Sequence, residues 1–285
     1  MITDPYINNP KSPKYHINKW ILNHKVDIFG KTVVDLPAGN GITSKILRDC
    51  GAKVLAFDLF PEYFREENVV CQRADIMDSI PINDNEADLV ICQEGIEHFC
   101  DQLKAFHEFN RVLKKEGKLV ITTPSYSNLS AKFNYLLAES ETKKHMPLNE
   151  IDDIWMEDKT VSDKIYYGHI FLIGLQKLRL LAKMSGFGIV ENRYVRLSKG
   201  SLLLLPCLYP LIFVSSWYRY YRNLNKNKNI PKTYKKKIYR EQLNMNISIR
   251  NLINHHSFIV FVKESNISDL SFKEVIQKVD FDDLT

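Results

Sequence analysis

The sequence MITDPYINNPKSPK at the start of the chain contains no apolar run, so no secretory signal is expected and the cytoplasm is the expected compartment. A cysteine framework is missing too. The five cysteines, at 50, 71, 92, 100 and 207, are odd in number and include no Cys-x-x-Cys pair, which argues against a disulfide scaffold or a zinc ribbon. Those beside apolar runs read as small core residues. Acidic residues are absent between Arg219 and Arg240, a stretch rich in lysine and arginine, whereas Glu264 to Thr285 is mainly acidic. The net charge of +5 therefore averages two local extremes. Nor is there an unbroken run of the roughly 20 apolar residues that a membrane span needs. The uncharged stretch from Ser201 to Tyr218 is interrupted by Pro206 and Pro210, which makes a span the weaker reading.

What remains is ordinary globular composition, 45% hydrophobic and 26% charged over 285 residues, enough for one elaborated α/β domain. Its centre is VVDLPAGNGITSKI, Val33 to Ile46. Val33, Val34 and Leu36 form the β-branched and apolar run of a strand buried on both faces. Ile42, Ile46, Leu47 and Cys50 follow at helical spacing. Gly39 and Gly41 between them allow positive φ and leave no Cβ to obstruct a ligand. A strand, a glycine turn and a helix N-terminus offer free N–H groups to a nucleotide, with the Asp35 carboxylate beside them. Such a turn can also merely shape a loop, and Ser44 stands where a dinucleotide fingerprint would have its third glycine.

Residues 15–29 carry Trp20, Ile21 and Ile28 at the spacing of an amphipathic helix covering the sheet. Further strands are expected at 53–57, ending in Asp58, at 68–72, ending near Ala74-Asp75, at 87–92 and at 118–123. A helix over 101–115 turns Leu103, Phe106, Phe109 and Leu113 inward, with Lys114 to Gly117 as its basic end and glycine stop. Strands alternating with helices predict a doubly wound α/β sheet. Asp35, Asp58 and Asp75 then share its carboxyl edge, where ligands collect. Asp58 lies at the distance from the glycine turn expected of a ribose ligand, because a carboxylate accepts two hydrogen bonds from a diol. The same aspartate could instead cap a turn.

In order and spacing, VVDLPAGNGITSKIL, VLAFDLFPE, CQRADIMDSIP, ADLVICQEGIEHF, RVLKKEGKLVITTPSYSN and GHIFLIGLQKLRLLAKMSGFGIVE resemble the class I S-adenosylmethionine-dependent methyltransferases of the small-molecule group. The resemblance runs over roughly residues 30–197, with a last strand at 257–262. It implies a Rossmann-like, seven-stranded sheet, mostly parallel with an antiparallel last strand, plus helical insertions. The cofactor implied is S-adenosylmethionine: Asp35, Gly39 and Gly41 at its methionine part, Asp58 and the adjoining Leu59 at the ribose, Asp75 and Ile76 at the adenine, Gln93 and Glu94 near the sulfonium. Pro37 occupies the place of the family's first glycine, so the turn there must need neither positive φ nor an N–H donor.

An acceptor hydroxyl must be held in line with the methyl group and lose its proton. If Glu94-Gly95-Ile96-Glu97-His98 opens a helix, Glu94, Glu97 and His98 share one face and could bind a hard cation such as Mg2+. The pattern is similar to metal-using O-methyltransferases of ubiquinone biosynthesis and of small-RNA 3′ ends, with His169 in the place of their later histidine. A Glu-His pair after the fourth strand also occurs in relatives without metal. Catalytic candidates are thus Glu97, His98 and His169, the histidines as general bases; metal candidates are Glu94, Glu97, His98 and His169.

Around this domain (30–263) the sequence sets a helical cap (1–29) and an acidic tail (264–285). Residues 125–168 form an insertion that could overhang the cofactor edge as an acceptor-binding lid, walled by Tyr126, Trp155, Tyr166 and Tyr167. Residues 201–250 form a second, apolar and then aromatic and basic, whose lysines suit an anionic membrane surface. A helical hairpin packed on the sheet or in a homodimer interface fits equally. The expected activity is O-methylation of a sugar or of a lipid-linked or polysaccharide intermediate at the inner face of a membrane. Rivals are an RNA 2′-O-methyltransferase using the basic run, a quinone-type O-methyltransferase, a NAD-dependent oxidoreductase and a non-catalytic scaffold.

Overall fold

The computed structural model describes residues 7–140, 147–168, 170–226 and 228–270. Ser12 caps the first helix by accepting the Lys14 N–H, and Pro13 opens α1 (Pro13–Asn23) with its φ already set for a helix. A short α2 (Lys25–Ile28) leads into β1 (Thr32–Asp35). The chain continues through α3 (Ile42–Asp49), β2 (Lys53–Asp58), β3 (Cys71–Arg73), β4 (Ala87–Gln93), α4 (Gln102–Val112) and β5 (Leu113–Pro124). Next come α5 (Leu129–Ala138) and a small two-stranded ribbon, β6 (Ile154–Met156) with β7 (Tyr166–Tyr167). After α6 (Leu175–Met184) and β8 (Phe187–Arg193), a helical excursion of α7 (Lys199–Leu224), α8 (Lys232–Ile247) and α9 (Ile249–Ile253) precedes β9 (His256–Lys263).

The main sheet has seven strands in the order β3-β2-β1-β4-β5-β9-β8. Strands β1 to β5 are parallel, and β9 is antiparallel to both its neighbours. This is the doubly wound architecture expected from the sequence. Its strands read as unbroken apolar runs because both faces are covered. On one face Val90, Cys92, Leu119, Ile121, Ile259 and Phe261 pack with Phe106, Phe109, Leu178 and Ala182 of α4 and α6. On the other, Leu89, Ile91, Val120, Phe258 and Val260 meet Ile17, Trp20, Ile21 and Leu47 of α1 and α3. Phe106 sets Phe109, Phe187 and Phe261 edge to face at ring distances of 5.8 to 6.3 Å, each pair worth about 0.5–1.5 kcal/mol beyond its burial.

The end of α4 differs from the sequence reading. Lys114 to Gly117 do not form a basic helix end and stop; the helix finishes at Val112 and β5 begins at Leu113. The turn residue with positive φ is Glu116 (φ 64), not Gly117. Besides Arg111 in its last turn, the helix end receives Lys263 of β9, whose buried Nζ donates to the carbonyls of Asn110 and Leu113, each at 2.7 Å, and to Asn85 Oδ1. A buried ammonium needs such partners, and these come from chain too distant for a local pattern to reveal. Lys114 instead donates to Asp88 at 3.0 Å.

The second insertion also departs from expectation. Pro206 and Pro210 do not break it: α7 runs through both as one helix of 26 residues.

Candidate active site

A cavity of about 650 Å³ opens at the carboxyl edge of β1, β2 and β4, within the range of small-ligand sites. Its floor is the glycine turn. Positive φ falls on Gly39 (φ 54) and Gly41 (φ 87), not on Pro37, and Leu36-Pro37 is a cis peptide. A Cβ at Gly39 would stand in open space inside the cavity it lines. A Cβ at Gly41 would collide with Phe64 and Glu66. Gly41 therefore shapes the turn at the start of α3 and does not itself line the cavity.

Asp58 joins the two halves of this floor. Its Oδ2 accepts the Gly39 N–H and its Oδ1 the Phe60 N–H, both at 2.8 Å, while the residue also faces the cavity. It is at once the turn aspartate and the carboxylate beside a ligand's diol, since each oxygen keeps a second lone pair. Leu59, Asp75 and Ile76 line the same side, and Pro37, Gln93 and Glu94 the other. Asp35 does not reach the cavity wall. It lies buried beneath it, Oδ2 accepting from Ser44 Oγ at 2.6 Å and Oδ1 without a partner. Burial, partly opposed by Ser44 and reinforced by the charge of Asp58, raises its carboxyl to about 7.

The segment after β4 is not a helix face. Glu94 takes positive φ (48) and only Ile96–His98 forms a single tight turn, so Glu94, Glu97 and His98 point to different partners. Glu94 Oε2 accepts from His256 Nε2 at 3.2 Å, and its Oε1 is buried with no hydrogen-bond partner. Glu97 is 1% exposed and accepts from Thr123 Oγ1 at 2.9 Å, away from the cavity wall. Burial and the nearby Glu94 charge push its carboxyl up to about 8. His98 lines the cavity, its ring 5.1 Å from that of Trp155. His169 lies outside the described residues. Among the described residues no three His, Cys, Asp or Glu side chains converge on a point that could hold a metal ion, so the Glu-Glu-His cation site expected from the sequence does not fit this geometry.

The first insertion supplies the cover. Trp155, Tyr166 and Tyr167 of the β6–β7 ribbon line the cavity, and Phe60 packs against Trp155 and Tyr166 at 5.6 and 4.8 Å. Tyr126 is not on the wall; it packs edge to face on Tyr135. Besides wall residues such as Phe60 and Tyr63, three residues with polar roles escaped sequence reasoning. Thr43 lines the wall and donates to Gln93 Oε1 at 2.9 Å, tying α3 to β4; its place directly after the glycine turn was a usable signal. Lys14 reaches the wall from α1, and His256 reaches Glu94 from the start of β9. Nothing local marks either.

Comparison with known proteins agrees with this geometry. Residues 34–121 match the family described as "Methyltransferase domain". The chain is 29% identical over 128 residues to a ubiquinone biosynthesis O-methyltransferase of Xanthomonas oryzae pv. oryzae, covering 41% of this chain and 54% of that protein. It is likewise 29% identical over 157 residues to a demethylmenaquinone methyltransferase of Clavibacter sepedonicus, covering 47% and 63%. It thus spans little more than half the length of the curated relatives it matches. A solved S-adenosylmethionine-dependent methyltransferase from Archaeoglobus fulgidus superposes with a TM-score of 0.51 at 14% identity, covering 91% of this chain and 100% of that one, which speaks to the fold alone. With the ordered motifs and the sheet topology, these matches identify the chain as carrying a class I S-adenosylmethionine-dependent methyltransferase domain.

Proposed function

We propose that this protein transfers a methyl group from S-adenosylmethionine to an oxygen of a small acceptor, a sugar or a lipid-linked or polysaccharide intermediate. The observation that carries the cofactor half is the arrangement at Asp58: a cavity-lining carboxylate on the same turn as Gly39, whose missing Cβ leaves the space beside it open. When bound, S-adenosylmethionine supplies a methyl group already activated on sulfur. Asp58 would accept from the ribose hydroxyls, Asp75 and Ile76 would frame the base, and the unpartnered Oε1 of Glu94 would take an ammonium N–H. His98 is the cavity-wall group offered for removing the acceptor's proton, and Glu94 with His256 fixes the loop that presents it. Glu97, beneath the wall, is a positioning residue through Thr123.

The aromatic wall of Phe60, Trp155, Tyr166 and Tyr167 suits a flat or apolar acceptor face. It also supports a second reading, a quinone-type ring, in keeping with the names of the Xanthomonas and Clavibacter relatives. The RNA alternative draws no support from the cavity, since none of its lining residues comes from the basic run after Arg219.

Isothermal calorimetry with S-adenosylmethionine and S-adenosylhomocysteine tests the cofactor assignment. Asp58→Ala should weaken both by about 10–100-fold, the worth of hydrogen bonds to a charged group of about 1.5–3 kcal/mol. Absence of binding by the unaltered protein would remove the enzyme reading. Supplying methyl-labelled cofactor with a membrane extract and with total RNA tests the acceptor class; label recovered in RNA rather than in the organic phase overturns it.

A further inference from the structure

Helix α7 has its polarity reversed. The two residues it buries are Ser201 and Ser216, while Leu203 (80% exposed), Leu211, Val214, Tyr218 and Tyr221 stand out in solvent at 61–67% or more. Their spacing of three, four, seven or eight places them along one stripe of a continuous helix, with Cys207 and Pro210, both exposed, between the leucines. At about 1.5 Å per residue the stripe runs for nearly the whole helix. Its most apolar window has a mean hydropathy of 1.6 and is only 11% buried.

The opposite side is fastened to the protein at both ends. Ser201 Oγ donates to Asn128 Oδ1 at 3.0 Å, at the start of α5. Further along, Asn246 of α8 donates to Ser216 Oγ at 2.7 Å, and the Arg240 guanidinium lies 5.0 Å from the centre of the Trp217 ring. The buried Arg179–Glu241 ion pair in turn ties α8 to α6. A helix so attached along its inner side is held parallel to the surface of the domain, which is the geometry of an interfacial helix rather than a span.

We propose that α7 is an in-plane membrane anchor, its outer stripe buried among the acyl chains of an anionic bilayer and its basic end resting on the headgroups. Charge selects this occupant over a second copy of the chain. From Lys199 to Arg240 there is no aspartate or glutamate, and Arg219, Arg222, Lys226, Lys232 and Lys236 are exposed about the α7–α8 turn. Two copies meeting through parallel stripes would bring the like charges together, and antiparallel ones would leave each basic end without a counter-charge on the acid-free stripe, whereas phosphatidylglycerol or a similar anionic lipid neutralises them. An apolar face with an adjoining basic cluster also supplies the two signals that stable anchoring requires. Asn128, which receives the start of α7, also caps α5 just beyond the carboxyl end of β5. The anchor therefore starts on the edge of the sheet that carries the cavity.

Flotation of the full chain with vesicles tests the anchor, without cofactor or acceptor present, so that failure here says nothing against the methyltransferase reading. Vesicles of phosphatidylcholine with one-third phosphatidylglycerol should carry the protein to the top of the gradient, and pure phosphatidylcholine should carry far less. Leu211→Glu with Val214→Glu should abolish flotation while leaving the circular dichroism unchanged, since both side chains are exposed in the free protein. Arg219→Gln and Arg222→Gln should each weaken binding about fivefold and flatten its salt dependence. Three results overturn the proposal: no flotation with anionic vesicles, equal flotation of the double glutamate variant, or a dimer in sedimentation that the glutamates convert to monomer without any vesicle binding.

Discussion

The carboxyl edge of the sheet and the outer face of α7 are built by opposite rules. At the edge, polar atoms are directed at fixed partners: Asp58 to two backbone N–H groups, Thr43 to Gln93, Glu94 to His256. On α7 the buried residues are two serines, Ser201 and Ser216, while Leu203, Leu211 and Val214 stand outside. The first pattern is that of a surface finished by its own chain, with a pocket left for a small ligand. The second is energetically incomplete in water, where apolar area gains about 25 cal/mol per Å² from being covered.

Truncation in each region sharpens the contrast. Leu178→Ala, on the fully buried face of α6, should cost the most, about 2–5 kcal/mol of stability in denaturant titration; a loss below 1 kcal/mol would mean that this side of the core is loosely packed. An intermediate effect belongs beneath the cavity. Glu97 and Asp35 both hold protons more tightly folded than unfolded, with carboxyls raised by burial to about 8 and about 7. Between their unfolded values near 4 and these folded ones, the native state binds more protons, so stability falls as pH rises through that window. Glu97→Gln should flatten the decline and add on the order of 1–3 kcal/mol near pH 8, read as a shift in the melting profile. If the profile keeps its slope, Glu97 is not a buried ionisable group. The smallest effect is expected on α7. Leu211→Ser should change stability by no more than about 0.5 kcal/mol in lipid-free buffer, and a larger loss would mean that the stripe is already covered by protein.

The readable parts of the sequence were those in which one residue answers to its neighbours. The buried strands show as continuous apolar runs, and α6 shows Leu175, Leu178, Leu181 and Ala182 at helical spacing, all buried. Gly39, Asp58 and Asp75 were legible because a glycine turn and the strand ends of a doubly wound sheet share one edge, and Gln93 through the family resemblance; all four do line one cavity. Three other positions show where intervals stop being informative. Asp35 has the right place in its motif yet lies under the cavity rather than on it, because its side chain turns to Ser44. Glu94, Glu97 and His98 have the spacing of a helix face, but the positive φ at Glu94 separates them. The partners of Glu94 and of the α4 end, His256 and Lys263, come from β9, and no local period reports a contact across so much chain. Pro206 and Pro210 misled for a different reason. A proline inside a helix removes one hydrogen bond and crowds the preceding turn, but exposed on the outer side of α7 both are accommodated in a single helix.

The position of the α7–α9 excursion in the sheet has a bearing on how such a chain could be remodelled. It joins β8 to β9, which are adjacent and antiparallel, a pair that a two-residue turn could connect. Asn254 ties the neck together: its side chain accepts the N–H groups of Val195 and Arg196 at 3.1 and 3.3 Å and donates to the Arg193 carbonyl at 3.1 Å, beside the backbone bonds His255 N–H to Arg196 O and Ser198 N–H to Ile253 O. Each doubling of a loop's length costs only about 0.6 kcal/mol in closure entropy. The neck is accordingly a graft point, but a replacement has to keep the Ser201–Asn128 and Arg179–Glu241 contacts for the cofactor edge and α6 to hold their shape.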